Sequence, residues 1–65
     1  MWELLAQAYM SHKDVQDEPD IFTLQDRNYI YGRYVGAKMM YRCATNYTEQ
    51  YIIGTLKEYR RNANK

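Results

Sequence analysis

Three observations predict an all-α fold, a small three-helix domain with a long central helix. Apolar residues recur at helical spacing through most of the 65 residues, no stretch alternates cleanly between polar and apolar, and no Asn-Gly or Asp-Gly hairpin turn occurs. A chain of this length holds one domain, residues 1–65, with no room for a linker. Such a chain buries only about 60% of its unfolded surface, so a partner subunit or another support is expected to add to its stability.

The first helix is expected over about residues 2–16. Leu5, Ala8, Tyr9, His12 and Val15 share one face, with Glu3, Gln7 and Asp14 opposite. Asp17-Glu18-Pro19-Asp20 ends it, because proline disfavours helical geometry in the residue before it and has no amide hydrogen to donate. Thr23 with Asp26 three residues on resembles a capping box, so the second helix starts there and runs to about Thr45. Asn46 or Thr48 opens the third, in which Ile52, Ile53, Leu56 and Tyr59 form the apolar face. Lys57, Arg60 and Arg61 suit the negative pole at its end, and the final Asn-Ala-Asn-Lys is expected to fray.

The second helix is unusual in having two apolar faces. Ile30, Tyr34, Ala37, Tyr41 and Ala44 follow 4, 3, 4, 3 spacing along one seam. On the far side gather Tyr29, Gly32, Gly36, Met39, Met40 and Cys43. A glycine inside a helix costs about 1 kcal/mol relative to alanine, so two of them four residues apart suggest close packing or a bend. Two short neighbouring helices cover only part of a segment this long. A homodimer, or an obligate complex with a protein partner, is therefore expected.

Charge and the single cysteine bound the setting. The net charge of +1 hides an asymmetry: residues 1–20 carry one lysine against five carboxylates, and the remainder carries eight basic residues against three acidic ones. The acidic end is expected either to fold onto the basic one or to dock on a neighbour. One cysteine excludes an internal disulfide, and a lone Cys43 fits a reducing cytoplasm. The longest run without a charged residue, Leu4 to His12, is far below the roughly 18 apolar residues that span a bilayer, and the acid in Met-Trp-Glu-Leu-Leu is unlike a signal peptide. A cytoplasmic protein outside the membrane is expected.

No catalytic or metal-binding signature occurs. His12 lacks an acid or nucleophile in a recurring arrangement and is expected to be a packed or rim residue. Asp14, Asp17, Glu18 and Asp20 lack EF-hand spacing, one Cys and one His make no zinc finger, and there is no glycine-rich phosphate loop. Neither an enzyme nor a bound cofactor or metal is expected.

Two functional readings lead, with a structural subunit of a larger assembly as a third. Tyr, Trp, Met and Arg are enriched at the buried centres of protein interfaces, and this chain holds eight Tyr, one Trp and four Met. The first reading is thus a small cytoplasmic regulator or inhibitor that binds a larger protein through Tyr29, Tyr31, Tyr34, Met39 and Met40; its size and self-sufficiency suit a phage or mobile-element product. The second is a dimeric nucleic-acid-binding regulator. It rests on a strip of Arg27, Tyr31, Lys38 and Arg42, with Arg60 and Arg61 in support, in which cations neutralise phosphates and Tyr stacks on bases. Ala44-Thr45-Asn46-Tyr47 lacks the glycine common in a helix-turn-helix, so no fold motif strengthens this second reading.

Overall fold

Helix α1, Trp2–Asp17, ends where the backbone amide of Glu18 donates to the carbonyl of Asp14 at 2.9 Å. Pro19 then starts a single 3₁₀ turn, Pro19–Ile21, at the position where its missing amide hydrogen costs nothing. The computed structural model describes residues 1–63. Within them the chain continues as α2, Leu24–Thr45, and α3, Glu49–Ala63. Ala63 is still helical, so part of the expected frayed end is ordered; Asn64 and Lys65 lie outside the described residues.

Local side-chain chemistry sets both boundaries of α2. The Thr23 hydroxyl accepts from the Asp26 amide at 3.1 Å, satisfying one free donor of the first turn. Only this half of the capping box forms among the described residues, and the aspartate is a methylene shorter than the Glu or Gln that usually reaches back. At the other end Asn46 adopts a left-handed conformation, φ 65°, and its amide donates to Arg42 O at 3.1 Å. The next helix start belongs to Thr48, whose hydroxyl accepts from the Tyr51 amide at 3.1 Å. Asn46 and Thr48 thus divide the turn between them, one stopping α2 and the other starting α3. The helix α2 is continuous through Gly32 and Gly36.

The core is small. Leu5, Ala6, Ala8 and Tyr9 of α1, Tyr34 and Ala37 of α2, and Ile52 and Leu56 of α3 are buried, and among large side chains only Leu5, Ile52 and Leu56 are fully enclosed. Ala6 was not on the expected α1 face; it is buried because α3 packs along a second side of α1. The α2 seam is buried at its middle and open at its end, where Ala44 is exposed next to the chain reversal. Principal extents of 35 × 28 × 17 Å make a flat body. Each of the three helices keeps exposed residues, so none is enclosed on every side among the described residues.

Aromatic rings extend this core in two chains. Trp2 sits 5.6 Å from Tyr41 and 6.1 Å from Tyr59, and Tyr41 leads on to Tyr47 and Tyr51 at 6.0 and 4.7 Å. The second chain runs through Tyr9, Tyr34, His12 and Tyr31, with His12 stacked on Tyr34 at 4.7 Å and 9° between planes. These contacts place seven of the eight tyrosines in ring pairs within the chain. Tyr29 is the one with no aromatic neighbour among the described residues.

Candidate protein-interaction surface

The helical repeat that turns Tyr34 and Ala37 into the core turns Tyr29, Gly32, Gly36, Met39, Met40 and Cys43 away from it. Tyr29 is 70% exposed, Met39 58% and Met40 59%. A methyl group built on Gly32 or Gly36 would meet nothing within 4 Å. The glycines therefore make no close approach to another element among the described residues. Cys43 is an exposed free thiol on the same side. From Tyr29 to Cys43 the face runs about 21 Å, and Arg33 at its edge is its only charge.

The remaining candidate residues divide between surface and core. Tyr34 departs from the expectation of a contact residue: at 7% exposure it is core, held between Tyr9 and His12. Tyr31 is exposed on one side and meets His12 at 5.6 Å on the other. Of the basic strip, Lys38 is occupied. Its ammonium donates to Glu49 at 3.0 Å, lies 5.0 Å from the centre of the Tyr34 ring, and leaves a side chain only 17% exposed. Burial pushes the Lys38 pKa down, but the hydrogen bond to Glu49 and the nearby Tyr34 and Glu49 charges outweigh it and hold the amine above its ordinary value. The same bond draws the exposed Glu49 carboxyl below its ordinary value. The Arg27 Nε is buried without a hydrogen-bond partner, whereas Arg42 is exposed.

The acidic end does fold onto basic side chains, but on α3. Arg60 reaches Asp17 at 2.8 Å and Asp14 at 3.3 Å, and approaches the Met10 carbonyl at 3.5 Å. His12 has its pKa lowered, first by burial and then by Lys13 and Lys38, so at neutral pH it is an uncharged ring stacked on Tyr34.

No family model matches the chain, and no curated protein or solved structure matches it either.

Among the described residues no three His, Cys, Asp or Glu side chains gather as a metal site, and no helix is long and apolar enough to cross a membrane. The outward face of α2 gathers exposed Tyr29, Met39 and Met40. Sequence periodicity separates this face from the seam, but says nothing of which aromatics the neighbouring helices cover. That depends on the paths of α1 and α3, which are set by long-range packing.

Proposed function

We propose that the chain is a small cytoplasmic regulator or inhibitor that acts by binding a larger protein through the outward face of α2, and that two copies cover this face as a homodimer until the target takes it. The observation that carries the reading is the combination on one helix face of exposed Tyr29, Met39 and Met40 with two glycines that have no close neighbour in another element among the described residues. Aromatic and methionine side chains bring large, adaptable contact area, and glycine lets a second backbone come near.

The face is also self-complementary in size. In an antiparallel pair with Gly36 near the two-fold axis, Met40 of one copy lies over Gly32 of the other, and Tyr29 lies over Cys43. Large side chains meet small ones at these two pairs, while Met39 comes opposite Arg33 at the edge of the face. The nucleic-acid reading has less support, because Lys38 is tied to Glu49 and only Arg42 and Tyr31 of its strip stand open.

Changing Met39 and Met40 together to Glu tests the reading. The double variant keeps the helical circular-dichroism spectrum of the parent, because neither side chain supports the core. It runs at the mass of one chain in light scattering and no longer recovers the protein that the parent captures from its host. A variant that still self-associates and still captures that protein contradicts the proposal.

A further inference from the structure

A second feature stands apart from α2 altogether. Between α1 and the last turns of α3 lies a cleft of about 360 Å³, lined by Tyr9, Lys13, Asp17, Lys57, Arg60 and Arg61. Four cations thus surround it against one lining carboxylate. Arg60 is engaged by Asp14 and Asp17, and Arg61 pairs with Glu58 on its own helix. Lys13 and Lys57 form no ion pair among the described residues. The ammonium of Lys13 instead lies over the Tyr9 ring, 5.7 Å from its centre.

Tyr9 supplies the independent observation. Its side chain is 3% exposed, yet it lines the cleft, and its hydroxyl has no hydrogen-bond partner among the described residues. The hydroxyl is not itself enclosed: it meets solvent at the cleft, where it is free to donate to a ligand. Burial, with Tyr34 adding to it, keeps the Tyr9 pKa above its ordinary value against the opposing pull of Arg60. The group therefore stays a proton donor at neutral pH.

We propose that this cleft binds the phosphate group of a small phosphorylated molecule, with Tyr9 donating its hydroxyl proton to an anionic oxygen and Lys13, Lys57 and Arg61 supplying the charge. Arg61 leaves Glu58 at little cost, since both side chains of that pair are exposed. The engagement of Arg60 by two aspartates holds it as a wall of the site and keeps the charge local. A polynucleotide is disfavoured because the four cations line a single cleft between two helices.

Inorganic pyrophosphate is the probe, titrated into the full chain at low salt and followed residue by residue by NMR. The expected result is saturable binding with shifts at Tyr9, Lys13 and Lys57. Lys57→Gln, Lys13→Gln and Tyr9→Phe should each weaken it about tenfold, the scale of one lost hydrogen bond to a charged group. Arg42→Gln, which removes the same charge on α2, should change it less than about twofold. Equal weakening by Arg42→Gln and Lys57→Gln would show diffuse charge attraction and overturn the site. So would absence of shifts at Tyr9, or binding of an oligonucleotide without binding of pyrophosphate.

Discussion

Arg60 and Asp17 are joined at 2.8 Å across 43 residues of sequence, tying the last turn of α1 to the last turns of α3. The guanidinium is largely covered, at 18% side-chain exposure, while the two carboxylates that it meets are open to solvent. Exposed ion pairs contribute roughly 0–1 kcal/mol, and a shared, partly covered arginine belongs at the upper end of that range. Arg60→Gln should lower unfolding free energy by about 1 kcal/mol in urea, and Asp17→Asn by less because Asp14 remains. Equal and negligible effects would show that α3 is held without this ion pair, by its apolar and aromatic contacts.

This pair also shows how far the sequence could be read. Signals confined to a few residues survived folding: Pro19 ends α1, Thr23 caps α2, and the Asn46–Thr48 turn separates α2 from α3. The apolar seams survived at their centres, where Tyr34, Ala37, Ile52 and Leu56 are buried. The partner of the acidic end was visible only as a sign of charge. The basic strip of α2 and the basic end of α3 were equivalent by that measure, and the path of α3 over α1 chose Arg60. Burial of Tyr34 follows from the packing of α1, whose Tyr9 and His12 hold it, and occupation of Lys38 from the position of Glu49 at the start of α3. The cleft around Tyr9 joins residues about 50 apart and leaves no local trace.

His12 makes stability depend on pH. Its pKa in the folded chain lies below the ordinary value of 6.5, so folding favours the neutral ring. The His12 contribution is complete above pH 6.5 and is lost as pH falls from there through the folded pKa, where the unfolded chain binds the proton first. Thermal midpoints should decline below pH 6.5, and His12→Phe should flatten that part of the profile while retaining a ring on Tyr34. The Glu49 carboxyl, lowered by Lys38, has its own loss in a separate window below its ordinary 4.5, so the two steps are distinguishable. A midpoint that does not change between pH 7 and 5.5 in the parent contradicts the assignment to His12.

Trp2 closes the end of the molecule opposite the acidic turn by touching rings of both other helices. Trp2→Ala removes both edge contacts and should cost about 2–3 kcal/mol, less than a fully buried tryptophan because Trp2 is only partly covered. Near-ultraviolet circular dichroism from Tyr41 and Tyr59 should weaken with it. A cost below about 0.5 kcal/mol, the range of an ordinary surface change, would mean that the aromatic chain is ornamental to stability.

Cys43 reports on the outward face without any change to the chain. In the proposed homodimer it lies under Tyr29 of the other copy, so its alkylation rate should fall as protein concentration rises through the dimer constant. A rate independent of concentration from nanomolar to hundreds of micromolar would show that the thiol is never covered.

The glycines give the most direct test of the central claim that the α2 face is built for a second protein surface. Outside its own helical turn, nothing among the described residues lies within 4 Å of a methyl group placed on either, so Gly32→Ala with Gly36→Ala should raise the stability of an isolated chain by about 1 kcal/mol per site through helix propensity. The same methyl groups would hold two α2 helices apart. The measurement is the mass of parent and double variant by light scattering at matched micromolar concentration, with the thermal midpoint of each. The account predicts two chains for the parent, and one chain with a more stable helix at high dilution for the variant. A parent that is a single chain throughout, and a variant that is more stable and otherwise identical, would contradict it.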